Sequence, residues 1–313
     1  MRLVFLGTPA FAVPTLERIV AAGHEVLAVY TQPDRPKGRG GALTASPVKT
    51  AAISRSLPVH QPERIRRSEP VAHLASLRPD AMVVVGYGQI LPQGIIDIPP
   101  LGIINVHASL LPKYRGAAPV QWALARGESI TGVTTMRIDA GLDTGDILLM
   151  RETPISPGET AIELAARLAI LGADLLVETL EGLRVGGIIP RKQDASQATL
   201  APILRKEDGV IDWHLPASEV YNRVRGFVPW PGAYTRFRGE GLHVWRGAVV
   251  AESSSAGPPG SLSVRERRVL VACGGGTSFE LLEVQLEGRK RVAVEAFING
   301  QRLVHNEVLG DMT

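Results

Sequence analysis

Two apolar runs, LVFLG at residues 3–7 and EVLAVYT at 25–31, bracket a segment from Pro14 to Gly23 whose apolar residues recur at helical spacing and whose end is marked by glycine. Strand, helix and strand in that order force a crossover, and strands joined by a helical crossover lie parallel in one sheet. The pattern continues. Helical spacing near 48–56 leads to the short PVH at 58–60, and a further helical segment covers 68–77. AMVVVG (81–86) and GIINV (102–106) have the uninterrupted apolar character of strands buried on both faces. The chain is therefore expected to build an α/β domain around a parallel, doubly wound sheet. Ligands of such sheets sit beyond the carboxyl ends of the strands, which points to the residues after Val85 and Val106.

Further along, the spacing predicts a helix near 118–126, strands near 130–138 and 146–151, and a long helix from Thr160 to about Gly182. The polar stretch RKQDASQATLAPILRKEDGVIDW (191–213) has no sustained periodicity and reads as a linker. After it, AYTRF, LHVWRGAVVA, RVLVAC and FELLEVQ alternate with Gly, Pro and Ser turns, the spacing of a small β-barrel. The expected division is a first domain over 1–190, a linker over 191–207 and a second domain over 208–313.

Composition narrows the class. The 313 residues are 45% hydrophobic and 21% charged, enough apolar material to bury a core in each domain. The single cysteine, Cys273, cannot form an internal disulfide, and no Cys/His cluster has zinc-ligand spacing, so a reducing compartment and no metal are expected. The first apolar run breaks at Gly7 and Pro9, as a strand does and a signal peptide does not. No window approaches the ~18 consecutive apolar residues of a membrane helix, so a soluble, cytoplasmic monomer with no membrane partner is expected. The net charge of +3 leans weakly toward acidic partners, and basic and acidic residues balance over 208–313. The first strand-to-helix turn, LGTPAF, offers Gly7 alone where a dinucleotide fold needs G-x-G-x-x-G, so NAD is not expected.

Asn105 and His107 are two positions apart, so on an extended segment both side chains project to one face. Downstream, IDAGLDTGDI (138–147) carries Asp139, Asp143 and Asp146 in a Gly-interrupted loop. An amide donor, an imidazole and a carboxylate gathered at strand ends suit a reaction in which a carbonyl oxygen becomes an oxyanion. Spacing alone equally fits a structural histidine and aspartates that cap turns.

The longer words decide between these readings. NVHASLLPKYRGAAP (105–119) with GLDTGDI (141–147) resembles the signature of the 10-formyltetrahydrofolate-dependent formyltransferases. FLGTPAFAVPTL, TQPDRPKGRG (31–40), SPVK (46–49), VVVGYGQILP (83–92) and FVPWPGAYT (227–235) resemble, more narrowly, the branch of that family that formylates methionyl initiator tRNA. The resemblance implies a Rossmann-like doubly wound N-terminal catalytic domain and a C-terminal OB-like β-barrel domain that binds tRNA. It implies 10-formyltetrahydrofolate as formyl donor, initiator methionyl-tRNA as acceptor, and Asn105, His107 and Asp143 as catalytic residues. It maps folate binding onto Gly86, Tyr87, Gly88 and Leu91, and onto Ser109, Leu110, Leu111 and Pro112. A sugar-nucleotide or other small-amine formyltransferase shares this chemistry and is the alternative.

Arg35, Lys37 and Arg39 stand within five positions in a Gly/Pro-rich loop that holds one acid, Asp34, and phosphates reward such clusters. By resemblance this loop reaches the acceptor arm of the tRNA. In the barrel, Arg223, Arg225 and Arg236 flank FVPWP, and GRKR (288–291) adds a second basic group. Trp230 fits a core position better than a contact.

Overall fold

The computed structural model describes residues 1–37, 42–250, 257–265, 267–304 and 307–310. Two compact units emerge, and each collects more than one stretch of chain. The first holds Met1–Gly116, Ile130–Pro154 and Ala165–Ala201; the second holds Ala117–Ser129, Ile155–Leu164 and Pro202–Thr313. A linear cut at 190 and 208 leaves 117–129 and 155–164 on the other side.

In the first unit, β1 (Arg2–Gly7), α1 (Val13–Ala21) and β2 (Glu25–Tyr30) form the expected crossover. A short hairpin follows, β3 (Arg35–Lys37) with β4 (Ala42–Thr44). Then come α2 (Pro47–Ile53), β5 (Val59–His60), α3 (Ser68–Leu77), β6 (Ala81–Val85), α4 (Gln93–Ile96) and β7 (Ile103–His107). Next, α5 (Pro119–Ala125) lies in the second unit, and β8 (Ile130–Arg137) and β9 (Ile147–Pro154) return to the first. The 24-residue α6 (Ala161–Arg184) starts at a capping box, in which Glu163 Oε2 accepts from the Thr160 N–H at 2.9 Å.

The sheet order is β5-β2-β1-β6-β7-β8-β9. The first five strands are parallel, as the crossovers require, and the chain order reverses between β1 and β6. The last two depart from the expected parallel sheet, because β8 runs antiparallel to β7 and β9 antiparallel to β8. The nine residues that join β8 to β9 are too few for a helical crossover, so these two strands can pair only antiparallel. Tyr30, Tyr87, Leu74 and Ile95 are buried in one core cluster with Val4 and Leu6 of β1 and Met82 and Val84 of β6.

In the second unit, α7 (Ala217–Gly226) packs on α5. An antiparallel sheet follows in the order β10 (Ala233–Phe237), β11 (Glu240–Val250), β14 (Ser278–Leu286), β13 (Arg268–Ala272) and β12 (Leu262–Arg265). β15 (Val292–Ala293) pairs with β14 and leads into α8 (Val294–Gln301). Residues 307–310 bridge the open side. Leu262 N–H donates to Glu307 O (2.7 Å), Leu309 N–H to Gly260 O (2.8 Å) and Gly310 N–H to Arg236 O (3.0 Å), linking the β12 edge to β10. Phe237, Phe279, Leu281 and Phe297 fill the core. Cys273 is a buried thiol whose pKa burial pushes up to about 12, so it packs as a small apolar residue. No described helix is long and apolar enough to cross a membrane.

Candidate active site

All five residues of β7 are buried, and in this otherwise apolar strand the two polar members are Asn105 and His107. Burying them costs free energy that an apolar pair would avoid. The pleat directs both to the same face, with Val106 on the other. His107 is anchored by the loop that follows: its Nε2–H donates to Tyr114 O at 2.9 Å. A carbonyl can only accept, so this contact fixes the proton on Nε2 and leaves Nδ1 as the nitrogen free for chemistry.

Nδ1 faces Asp143. Its distance to Oδ2 is 3.7 Å, beyond a direct hydrogen bond but within ion-pair range for a protonated ring. The route by which the carboxylate arrives differs from the expectation of strand ends. Because β8 is antiparallel, Arg137 at its end pairs with Ile104 near the start of β7, and the loop 138–146 folds back some three residues, about 10 Å, to His107. Asp143 sits in the left-handed region at φ 52, and its Oδ2 accepts from the Gly116 N–H at 2.8 Å. Asp139 has the other role open to an aspartate in such a loop. Its Oδ1 takes the Gly141 N–H (3.0 Å) and the Thr144 hydroxyl (2.7 Å), an Asx-turn that shapes the loop. Among the described residues no hydrogen bond ties down the Asn105 amide, so its donors are available to a ligand.

The loop after β7 is stiff. Thr134 on β8 donates its hydroxyl proton to Ser109 O (2.6 Å) and accepts the Leu111 N–H (3.1 Å). The Ser109 hydroxyl is committed to Lys113 O at 2.6 Å. Leu111 is buried with Met136 and Ile147, whereas Leu110 and Pro112 are half-buried. The turn after β6 offers the second wall. Gly86 and Gly88 have φ 57 and 85, and a Cβ on Gly86 would lie 2.9 Å from Pro9 Cγ. The Tyr87 and Leu91 side chains pack in the core, so it is the backbone of this segment that faces outward. Tyr87 O accepts from Thr8 Oγ1 (3.0 Å) and Gln32 Nε2 (3.1 Å). Among the described residues none takes the N–H groups of 87–91, which suits them to a flat heterocycle with hydrogen-bonding edges. Two cavities share the Gly88 turn: one of about 620 Å³ with Arg35, Arg64 and Arg66 in its lining, and one of about 420 Å³ walled by Pro9, Pro33, Pro36 and Pro47.

Of the basic loop, Arg35 is exposed on β3, Lys37 ends that strand, and Arg39 lies outside the described residues. Asp34 does not offset Arg35. Lys49 Nζ, 2.6 Å away, and Gln61 hold its carboxyl below the usual carboxylate range and keep it paired. In the second unit Trp230 is 54% exposed, contrary to the core position expected of it. Arg225 is turned onto Asn222 Oδ1 and Glu159 O rather than outward. The aromatic surface that the sequence reading missed lies on β10 and β11. Tyr234, His243 and Trp245 follow one another at centroid distances of 5.6 and 5.9 Å, beside a cavity of about 370 Å³ whose lining includes Lys206, Arg236 and Gln285. Arg291 of the GRKR group lies 5.1 Å over Trp245 and pairs with Glu283. The signal was present in LHVW: Leu242 and Val244 are buried, so His243 and Trp245 share the opposite face.

Comparison with known proteins gives the family of the chain. The formyl transferase family model matches residues 1–180, and the model for the formyl transferase C-terminal domain matches 203–302. The methionyl-tRNA formyltransferase of Solibacter usitatus is 65% identical over 99% of both chains. That of Koribacter versatilis is 58% identical over 100% of both. Among solved structures, WlaRD, a sugar 3N-formyl transferase crystallised with dTDP and 5-N-formyl-THF, superposes with a TM-score of 0.68 over 93% of this chain and 99% of its own, at 17% identity. That likeness is one of fold.

Proposed function

As this chain belongs to the formyl transferase family and to its methionyl-tRNA formyltransferase branch, we propose that it moves a formyl group from 10-formyltetrahydrofolate to the α-amino group of methionine on initiator tRNA. The observation that carries the mechanism is the grouping of an unengaged amide, Asn105, with an imidazole whose free Nδ1 lies 3.7 Å from a carboxylate. When the amine attacks the formyl carbon, the carbonyl oxygen takes on negative charge in a tetrahedral intermediate. Asn105 Nδ2–H is the donor for that oxygen, and such a donor contributes ~10²–10³ in rate.

The nucleophile gives up one proton and the leaving N10 gains one. His107 Nδ1 accepts the first and returns it to N10, while Asp143 stabilises the imidazolium between the two events. Once Nδ1 is protonated it also donates to the oxyanion, which joins His107 to Asn105 in that role. The free α-amino group has a pKa of ~8, so part of it is already neutral near pH 7 and needs no strong base to become a nucleophile.

The open N–H groups of 87–91 and the stiff 109–112 loop support the pterin site, with Gly86, Tyr87, Gly88 and Leu91 acting through backbone or as its floor. Arg35 and Lys37 on the hairpin, with the aromatic and basic face of β10 and β11, support RNA contact through phosphate pairing and stacking. The test is transfer of labelled formyl from 10-formyltetrahydrofolate to methionyl initiator tRNA, methionyl elongator tRNA and a sugar amine in parallel. The expected result is strong preference for the initiator; turnover on the sugar amine with none on either tRNA would overturn the acceptor.

A further inference from the structure

The segment from Arg191 to Ala201 reads in sequence as a linker, yet it is bonded to both loops that meet at His107. At the foot of the Asp143 loop, Arg191 and Ile147 exchange both backbone hydrogen bonds at 2.8 Å each. At the loop after β7, the Arg115 N–H donates to Thr199 O (2.9 Å) and the Ala201 N–H to Arg115 O (2.7 Å), while the Tyr114 N–H donates to Thr199 Oγ1 (2.9 Å). Gly116 follows at φ 121, where a Cβ would lie 2.6 Å from Ala201 O, so the two segments touch backbone to backbone.

Gln193 sits between these seams. Its amide nitrogen donates to Asp143 O and Gly145 O, both at 2.8 Å. Its amide oxygen accepts from Arg115 Nε (3.0 Å) and Nη2 (2.7 Å). Both donor protons and both acceptor directions are used, and the orientation of the amide is thereby fixed. The bound guanidinium polarises that amide and strengthens its hold on the two carbonyls.

Asp143 needs such a hold. It lies outside any helix or strand, in a left-handed conformation that aspartate tolerates better than most residues but that no helix or strand ladder holds in place. The Gly116 N–H fixes the carboxylate end, and Gln193 fixes the backbone end. We propose that Gln193, oriented by Arg115, is a positioning residue for Asp143: it touches neither substrate and acts by setting where the carboxylate stands against His107 Nδ1. This rests on the transfer mechanism above for its catalytic consequence, though not for the brace itself.

The test uses the full chain with Gln193→Leu, which keeps volume and removes every hydrogen bond, and Arg115→Lys as a milder variant should the first fail to fold. Hydrogen exchange needs no substrate. Peptides covering 138–147 are expected to exchange at least about fivefold faster, with the strands of the sheet unchanged; unaltered exchange overturns the brace whatever the reaction is. In the transfer assay kcat is expected to fall about 10- to 100-fold, the cost of misplacing a group by ~1 Å, with KM for both substrates nearly constant. In an Asp143→Ala background Gln193→Leu should bring no further loss, since its effect runs through that carboxylate. A multiplicative loss in that background, or a rise in KM alone, would contradict the assignment. Wild-type protein that transfers formyl to none of the acceptors would count against the transfer reading, and hydrogen exchange would then decide the brace by itself.

Discussion

Asn105 and His107 are polar residues in a strand that packing would rather make apolar, and that conflict is what made them visible in the sequence. By spacing alone Asp143 was one of three aspartates in a loop, and it was the likeness of GLDTGDI to the family signature that singled it out. Spacing could not separate it from Asp139, whose Asx-turn is decided by bonds to its own neighbours. Thr134 left no signal at all. A threonine in a strand is ordinary, and its two bonds to Ser109 and Leu111 join residues more than twenty positions apart. Thr134→Val keeps the shape and deletes both bonds, leaving a buried N–H and C=O without this partner. The expected cost is about 1–3 kcal/mol, read as a lower urea midpoint at unchanged m, together with slower transfer. An unchanged midpoint would mean that the 109–112 loop is held by other contacts.

At the scale of elements, periodicity located the longer strands and helices of the first unit to within a few residues, because each is buried on a fixed face, and it passed over the exposed β3–β4 hairpin and the four-residue α4. It could not tell that β8 turns back antiparallel, nor that 191–201 is stitched by single bridges to loops far away in sequence. Short helices with a polar surface, α7 and α8, were equally hidden among turn-rich segments. The β3–β4 hairpin shows how a neighbouring element decides charge. Lys49 on α2 neutralises Asp34 at the root of the hairpin, which leaves Arg35 without an ion pair among the described residues. The Asp34 carboxyl titrates below its ordinary value, first because of the Lys49 bond and then of Gln61. Its contribution to stability is therefore complete above the unfolded value of ~3.9 and is lost as pH falls through the lower folded value. Asp34→Asn is expected to be less stable than wild type at pH 5–7, with the gap closing in acid denaturation below about pH 4. A gap that persists in acid would show that charge is not what Asp34 supplies.

For the whole molecule, the chain visits each unit more than once, and no composition shift marks where 117–129 and 155–164 leave the first unit. Membership there is decided by packing, as when Trp122 meets Phe227 edge-on at 5.5 Å. The division of labour we propose assigns chemistry to β7 and the Asp143 loop, and RNA contact to the hairpin and the barrel face around Trp245. One measurement separates the two most directly: single-turnover formyl transfer to methionyl initiator tRNA at saturating substrates, for wild type and Asn105→Ala, with tRNA affinity measured on the same preparations. The expected result is a transfer rate lower by ~10²–10³ with tRNA affinity unchanged. An Asn105→Ala protein that transfers at the wild-type rate, or that loses tRNA binding in proportion to rate, would contradict the assignment of this strand to the chemical step.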